Sequence, residues 1–515
     1  MYEELIFYQI YPKSFCDSDM DGLGDIQGII DKADYLSDLG VNAVWLSPCF
    51  KSPNVDGGYD ISDYRDIMDG LGTMDDFKRM IDAFHSRNIK IIVDFVANHT
   101  STEHRWFKEA LRSRDNPYHD YYIWFSAPPN RWESAFGGSA WEYAESVNEY
   151  YLHSYAVEQA DLNWENPAVR EEMKAVLDFW IAAGVDGFRC DVLDQISKDF
   201  YSENGNGNGK NLHAYIRELF DREGVRHVFR IGECWFADEK NIELFCKRER
   251  EELSSAFIFR HLCLEKGRYD LEKISLCEVV RRISHWQNVM QKLNIPYPLF
   301  LENHDQARSV SRMGDDGALR YECATCFAGI ILLHKGIPFL YQGEEIGVTN
   351  SNFSSIADFN DADALGYYRA NKDEKSDAEI MAEINYGSRD NARRMMPWTA
   401  GDERNYAVGA YSERERINVE TDLSAQKSVY KFYRRLIRLR KDSSCLTCGE
   451  YKVLTLNEHY YAFERKRENE RIIVVICFER AVNFDISHYG GTVIVNNYPD
   501  IGEKLQPYQL LVLKG

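Results

Sequence analysis

An arginine and an aspartate stand two residues apart where an apolar stretch of the chain turns polar. In the segment GVDGFRCDV (184–192), Arg189 and Asp191 follow a short, mostly apolar run that is typical of a buried strand. On an extended strand, side chains two residues apart point the same way. A neighbouring cation lowers the pKa of a carboxylate, so the pairing predicts an ionised Asp191 that is fit to act as a nucleophile. A structural arginine–aspartate pair that closes a strand end is the alternative interpretation.

Three other apolar runs also turn abruptly polar, and each brings a carboxylate. These carboxylates are Asp94, Glu233 and Asp305. Continuous apolar runs are typical of parallel strands that are buried on both faces, and α/β barrels carry their chemistry at the carboxyl ends of such strands. The sequence therefore predicts one site that is assembled from several strands of a barrel.

The order of the patterns divides the chain into four stretches. Residues 1–99 alternate strand-like runs with helical periods, and residues 167–443 resume that alternation. Between them, residues 100–166 are rich in aromatics and lose the helical period. Residues 444–515 read as short alternating strands with turns. We expect an α/β fold: a (β/α)8 TIM barrel, with an irregular inserted domain after the third strand and a C-terminal antiparallel β domain.

Three further stretches carry weaker patterns. The Gly- and Asn-rich residues 202–210 predict a mobile loop near the mouth of the site. Residues 239–293 read as a charged helical region between the strand ending at Glu233 and the strand ending at Asp305. Residues 350–400 read as polar and irregular.

Four aspartates crowd into a glycine-containing loop after the first predicted strand, in the segment DSDMDGLGD. Their alternate spacing and the tight turns between them suit a hard cation, and carboxylates this close repel each other unless a cation neutralises them. We expect a structural Ca²⁺, with Mg²⁺ as the other candidate. A solvated acidic loop is the alternative. The predicted ligands are Asp17, Asp19, Asp21 and Asp25, with the backbone carbonyl of Leu23.

Composition narrows the classes of partner. Lys and Arg number 61 against 83 Asp and Glu, which gives a net charge of −22 and argues against nucleic acid or an anionic membrane as a partner. The sequence has no long uncharged apolar stretch and no secretory leader pattern at its start. The twelve cysteines do not have zinc-ribbon spacing and are interpreted as reduced structural thiols. We expect a cytoplasmic protein without an organic cofactor.

Over nearly its whole length the chain resembles the α-amylase superfamily of glycoside hydrolases, family 13, and within it the oligo-1,6-glucosidase and α-glucosidase group. Four blocks carry the resemblance in the family's order: DFVANH, GFRCDV, GEC and NHD. The segments QADLN, SPNVDGGYDISDY and SRDNAR support it. The aromatic-rich stretch stands between the first and second blocks, where the family has its insertion.

The resemblance implies roles for individual residues. Asp191 would be the nucleophile, Glu233 the general acid and then base, and Asp305 the carboxylate that stabilises the distorted transition state. A small oligosaccharide would be the substrate, and the loop of aspartates would bind Ca²⁺. The residues implied to surround the non-reducing glucose are Asp56, Tyr59, His99, Phe136, Arg189, Val192, His304 and Arg393.

The chemistry of acetal cleavage agrees with these roles. It needs one carboxyl group that is protonated and one that is ionised, and the configuration is retained if the two lie about 5 Å apart. In sequence, Asp191 has a neighbouring cation and Glu233 has none.

Linkage preference is indicated by the residue after the nucleophile, which in this group tends to be Val in enzymes that prefer α-1,6 bonds and Ala or Thr in α-1,4 enzymes. Val192 therefore predicts exo-cleavage of α-1,6-linked glucose from isomaltose-type oligosaccharides. The chain departs from the group in SRDNARRMMPW, in GECW with Trp235, and at Tyr155. Because these positions border the leaving-group side, α-1,4-glucosidase, sucrose- or trehalose-derivative hydrolase and transglucosidase activities stay open.

A protein-binding role is the alternative from a different class. The superfamily includes catalytically inactive ectodomains of amino-acid transporter heavy chains, which lose the catalytic carboxylates and carry a membrane anchor. This chain keeps all three carboxylates. The sequence therefore favours an enzyme.

Overall fold

Eight short parallel strands run through the larger part of the chain. The computed structural model describes residues 2–201, 209–401 and 406–515, so most of the loop predicted at 202–210 lies outside the described residues. The barrel strands are β1 Phe7–Ile10, β2 Ala43–Leu46, β3 Lys90–Val96, β4 Gly187–Asp191, β5 Phe229–Glu233, β6 Ser255–Phe257, β7 Pro298–Leu299 and β8 Ile337–Tyr341.

The strands form one sheet that curls into a nearly closed barrel. Hydrogen-bonded neighbours follow the order β6, β5, β4, β3, β2, β1, β8, β7, and every pairing is parallel. The two ends of that order, β6 and β7, contact each other. All residues of β4 and β5 are buried, which explains why their sequences read as continuous apolar runs. The predicted (β/α)8 barrel is confirmed.

Helices cover the outside of the barrel. Their starts follow the local chemistry: Thr73 and Asp76 form a capping box, and Asn166 caps a helix whose first residue is Pro167. No helix among the described residues is long and apolar enough to cross a membrane. The main helices are Ile26–Asp31, Ala33–Leu39, Met74–His85, Pro167–Ala182, Leu212–Phe220, Ile242–Cys246, Leu276–Leu293, Ser309–Met313, Arg320–Leu333, Val419–Ser424 and Val429–Asp442.

The inserted region leaves the barrel after β3 and returns before the helix that precedes β4. It contains the helix Arg105–Ala110 and a three-stranded antiparallel sheet of Trp124–Phe125, Glu149–Leu152 and Trp141–Ala144. A further strand, Gln159–Asp161, pairs antiparallel with His99–Ser101, directly after β3. This pairing holds the insertion against the carboxyl-end rim of the barrel.

The end of the chain forms the predicted antiparallel module. A short helix, Ser444–Cys448, precedes a five-stranded antiparallel sheet and a separate two-stranded ladder. In spatial order the five strands are Glu450–Leu456, Tyr460–Arg467, Glu470–Cys477, Leu510–Lys514 and Thr492–Asn496, and the ladder pairs Val482–Asn483 with Lys504–Leu505.

Two stretches differ from the expectation. Residues 239–293 are not simply helical, because β6 lies within them; its first residue is Ser255, and the apolar run at 256–259 is too short to indicate a strand. Residues 350–400 contain two helices, Ala362–Asn371 and Asp377–Gly387, which Asp361 and Ser376 cap. Because most side chains of the first helix stay partly exposed, its sequence shows no strong apolar stripe.

Candidate active site

The ends of β3, β4 and β5 meet around a single guanidinium. Arg189 on β4 donates from one nitrogen to Asp191 Oδ1 at 2.6 Å and also to Asp94 on β3. Its other terminal nitrogen donates to Glu233 Oε2, at the end of β5, at 2.7 Å. All four side chains are buried. The fold therefore brings Asp191 and Glu233 to adjacent positions on the same cation.

The pKa of Asp191 is shifted in the direction opposite to the one that the sequence predicts. Burial raises the pKa of Asp191 well above its usual range; Arg189 opposes the rise, while the carboxylates of Glu233 and Asp94 add to it. The lowering expected from Arg189 is therefore outweighed, chiefly by the burial of the carboxylate.

Asp305 lies in a different electrostatic environment, among cations. Its Oδ2 lies 3.0 Å from His304 Nε2, and its Oδ1 accepts from Arg393 at 2.8 Å and from Arg389 at 3.3 Å. Burial alone would raise the pKa of Asp305, but His304 and the two arginines hold it well below the usual range. Asp305 is therefore a fixed negative charge beside the Asp191–Glu233 pair.

A stacked pair of rings forms one wall beside Asp305. The Tyr59 ring lies parallel to the His304 imidazole at 5.3 Å, and its hydroxyl lies 2.7 Å from His304 Nε2. Gln9 on β1 bonds His304 Nδ1 at 2.8 Å. These contacts fix the imidazole between the barrel floor and Asp305.

The opposite wall joins the second βα loop to the inserted region. Arg389 donates to Asp56 Oδ1 at 3.2 Å, and the amide of Gln159 reaches both Asp56 Oδ2 and His99 Nε2. Burial lowers the pKa of His99, so its ring stays neutral. The Arg389 guanidinium also lies over the Phe136 ring, 5.0 Å from its centre.

A cavity of about 260 Å³ opens between these walls, which is smaller than the roughly 300–1,000 Å³ of sites for drug-sized ligands. Eight sequence-predicted residues line it: Asp56, Tyr59, His99, Phe136, Asp191, Val192, Glu233 and Asp305. Three others, Arg189, His304 and Arg393, contact these carboxylates from behind. Tyr155 and Trp235, which were expected to border the leaving-group side, also line the cavity. Sequence reasoning missed the lining residues Ala135, Gln195, Arg268, Asp363 and Arg389.

Arg389 was the one missed residue that the sequence could have indicated. It stands four residues before Arg393 in the same motif, SRDNAR, and the two flank one short helical turn, Asp390–Arg393. A side chain four residues away on such a turn lies on the same face, so both arginines reach Asp305.

Val192 has an unusual backbone. Its φ of 34° and ψ of 42° lie in the left-handed region, where a β-branched residue is strained by about 1–3 kcal/mol. The turn aims the backbone N–H of Val192 at Glu233 Oε2, 3.2 Å away, while its side chain lines the cavity. The residue after the nucleophile thus touches both the acid carboxyl and the space for a ligand.

Separate segments of the chain meet at the cavity wall around Phe136. The helix Ala362–Asn371 lies directly against the inserted region there, since a Cβ on Gly366 would be only 2.5 Å from the carbonyl oxygen of Phe136. The Asp56–Arg389 ion pair lies on the same wall, near Phe136. This wall therefore joins the second βα loop, the inserted region and the helix Ala362–Asn371.

The acidic loop after β1 contains all of the predicted metal ligands, which differ in their contacts. Carboxylate oxygens of Asp17, Asp19 and Asp21 come within 4.8 Å of one another, a grouping that fits a hard cation. The carboxylate of Asp25 instead accepts from the N–H and hydroxyl of Ser18 and caps a helix at Gly28. Leu23 lies in the same loop and donates its N–H to Asp21.

Comparison with known proteins agrees with this geometry. A family model described as the α-amylase catalytic domain matches residues 9–449. An oligo-1,6-glucosidase from Parageobacillus thermoglucosidasius is 41% identical over 556 aligned residues, which cover 100% of this chain and 98% of that protein. A trehalose-6-phosphate hydrolase from Escherichia coli (strain K12) is 40% identical over 504 residues, which cover 93% and 90%.

Among solved structures, a mutant of the trehalulose synthase MutB superposes with a TM-score of 0.95 at 33% identity, and 100% of both chains is covered. The family match spans the barrel and the insertion, and the relatives extend over the whole chain. The chain belongs to the α-amylase family of glycoside hydrolases.

Proposed function

We propose that the chain is a retaining, exo-acting α-glucosidase that removes α-1,6-linked glucose from the non-reducing end of isomaltose-type oligosaccharides. The main support is the pair of carboxyls, Asp191 and Glu233, on one guanidinium beside an ionised Asp305. The small volume of the cavity supports binding of a single terminal sugar. The similar proteins named oligo-1,6-glucosidases support the linkage.

The proposed reaction has two steps. Glu233 gives its proton to the glycosidic oxygen while an Asp191 oxygen bonds to the anomeric carbon, and the electron pair of the breaking bond goes to the leaving oxygen. Water then attacks the anomeric carbon of the glucosyl–Asp191 ester, Glu233 takes the proton of that water, and Asp191 is released. The negative charge of Asp305 stabilises the positive charge that develops on the sugar ring.

The preference for α-1,6 over α-1,4 bonds is assigned to Val192. We expect Val192→Thr to lower the ratio of isomaltose to maltose turnover by on the order of tenfold, since a change of this size in a pocket shifts discrimination by about 10–200-fold. The kcat/KM of the wild type and of Val192→Thr is measured on isomaltose, maltose, sucrose, panose and trehalose 6-phosphate, and the products are identified by chromatography. Val157→Thr, at an exposed valine of the inserted region, is the matched control.

An unchanged isomaltose-to-maltose ratio in Val192→Thr would remove the basis for the linkage assignment. The wild-type panel also decides among the alternatives. Maltose as the best substrate would indicate an α-1,4-glucosidase, and products longer than the substrate would indicate a transglucosidase.

Hydrolysis of a phosphorylated disaccharide is the alternative that one 40%-identical relative suggests. A phosphate needs cations that are free to bind it. Among the described residues that line the cavity, both arginines are already paired: Arg268 Nε lies 2.9 Å from Asp363, and Arg389 bonds Asp56 and Asp305. This pairing supports a neutral oligosaccharide as the substrate.

The loop of aspartates is proposed to hold Ca²⁺, with Asp17, Asp19 and Asp21 as side-chain ligands and Leu23 and Asp25 as the remaining predicted ones. The ion would neutralise the clustered carboxylates and so stabilise the loop. Saturating Ca²⁺, at about a hundred times its Kd, is expected to stabilise the fold by about 2.7 kcal/mol.

The measurement is the Tm with Ca²⁺, with Mg²⁺ and with EDTA. The wild type should melt at a lower temperature in EDTA, and the double variant Asp19→Asn, Asp21→Asn should not respond to either addition. Asp75→Asn, at an exposed position, should respond as the wild type does. A wild-type Tm that is the same in EDTA and in Ca²⁺ would contradict the proposal.

A cytoplasmic location, and a small oligosaccharide rather than nucleic acid or a membrane as the partner, complete the proposal. All twelve cysteines are free thiols, which suits a reducing compartment. The strongly acidic net charge does not suit binding to nucleic acid.

A further inference from the structure

Trp235 lies at the cavity, two residues after Glu233. Its indole N–H donates to Glu233 Oε1 at 3.0 Å. One face of the indole stacks on Phe259, with ring centres 4.2 Å apart and planes 7° apart. The residue is still 38% exposed and lines the cavity. Because Phe259 covers one face, the open surface of the indole is turned to the ligand space.

The two oxygens of Glu233 have different partners. Oε2 accepts from the guanidinium of Arg189 at 2.7 Å and from the backbone N–H of Val192 at 3.2 Å. Oε1 accepts only from Trp235 among the described residues. A carboxyl oxygen accepts along about two lone pairs, so Oε1 keeps one site that can carry a proton. Oε1 is therefore the oxygen that is suited to proton delivery.

The position of Trp235 is fixed by the next residue. The backbone N–H of Phe236 donates to Asp194 Oδ2 at 2.6 Å, and the carbonyl of Phe236 accepts from Asn241 at 2.9 Å. Asp194 is fully buried and lies in the turn after β4. The loop after β5 is thus tied to the strand end that carries Asp191, and the indole is held between Glu233 and Phe259.

We propose that Trp235 is a positioning residue that holds Glu233 Oε1 for proton transfer and a platform for the leaving-group sugar. The proposal depends on the glucosidase function above. Its N–H holds Oε1 toward the glycosidic oxygen, and its open face offers the apolar surface on which a sugar ring packs. Both roles, the hydrogen bond to Glu233 and the contact with the sugar, concern the side of the cavity that holds the leaving group.

Trp235→Phe separates the two parts because it keeps an aromatic ring against Phe259 and removes the N–H. We expect it to lower kcat on isomaltose about tenfold, with little change in KM. On p-nitrophenyl α-glucoside, kcat/KM should change less than twofold, because nitrophenolate leaves without a proton and kcat/KM does not include the later hydrolysis of the ester. Trp235→Ala, which also removes the platform, should additionally raise the KM for isomaltose at least fivefold.

The pH profile supplies a reading that a purely structural role would not change. Because the indole N–H bonds the carboxyl that delivers the proton, its loss should move the basic limb of kcat/KM on isomaltose by about half a pH unit or more, whereas loss of a purely structural contact should leave that limb in place. The charged groups around Glu233 are Arg189 and Asp191 on β4, Asp94 on β3 and Asp194 after β4. All of them are retained in Trp235→Phe.

Trp124→Phe is the matched control, since it removes an indole N–H that bonds the His119 carbonyl in the inserted region, away from the cavity lining. It should leave both substrates and the pH profile unchanged. If Trp235→Phe keeps the wild-type ratio of isomaltose to p-nitrophenyl glucoside turnover and the wild-type basic limb, the inference is wrong. If the wild type cleaves neither substrate, the proposed function itself fails.

Discussion

Asp191→Asn is expected to lower kcat on p-nitrophenyl α-glucoside by at least about 10⁴-fold, in line with the loss of a catalytic nucleophile in other enzymes. An amide cannot form the ester with the anomeric carbon. Asp94 cannot replace Asp191 because it does not line the cavity, and Glu233 is needed as the proton donor. The change removes one of three carboxylates that share a cation, so the variant is expected to fold.

The measurement pairs initial rates with the Tm of each variant. Asp178→Asn, which makes the same change at a surface ion pair with Arg222, is the control and should keep wild-type kcat. Proton NMR of wild-type turnover should show α-glucose as the first product, as a retaining reaction requires. Activity within a hundredfold of wild type in Asp191→Asn would exclude its role as nucleophile and reopen the binding-protein interpretation.

Arg389→Met is expected to have the second largest effect, on both stability and activity. Arg389 is buried and bonds Asp361 at 2.7 Å, Asp56 at 3.2 Å and Asp305 at 3.3 Å. Its removal leaves three buried carboxylates with one fewer cation, and losing one partner of a buried ion pair costs about 3–5 kcal/mol. Because Asp56 and Asp305 line the cavity, kcat/KM should also fall by on the order of a thousandfold, about 4 kcal/mol of transition-state stabilisation.

Arg389→Lys tests the geometry of the guanidinium separately from its charge. Lysine keeps the positive charge but cannot reach three carboxylates in a fixed fork, so it should recover part of the stability and little of the activity. Arg416→Met, at an exposed pair with Glu413, should change neither. Chemical unfolding and kcat/KM on the same preparations check both effects. A wild-type unfolding free energy in Arg389→Met would show that these carboxylates do not depend on it.

The barrel and its acidic residues could be predicted from local patterns. Strands buried on both faces show as apolar runs, and the change to polar residues marks the rim, so Asp191, Glu233 and Asp305 could be found one strand at a time. The strand β6 was not predicted because it has only three residues, too few for a long apolar run. The helix Ala362–Asn371 was not predicted because its apolar side chains contact a small local cluster rather than the barrel.

The partners of each charge could not be predicted in the same way. Arg189 was expected to serve Asp191, its near neighbour in sequence. In the structure the same guanidinium also bonds Asp94 and Glu233, which are 95 and 44 positions away. Burial, together with these neighbouring carboxylates, reverses the expected direction of the pKa of Asp191. The left-handed backbone of Val192 and the indole hydrogen bond of Trp235 are likewise contacts that no residue spacing indicates.

The barrel, the place of the insertion and the three rim carboxylates could be predicted from the order of the residues. A strand that is buried on both faces has a continuous apolar run, and such a run can be recognised without knowing the fold. The cation that compensates each carboxylate, and the aromatic ring beside Glu233, could be identified only in the folded protein. Those contacts arise where separate βα loops meet, and the distance between two loop side chains depends on how the strands are arranged around the barrel rather than on their separation in the chain.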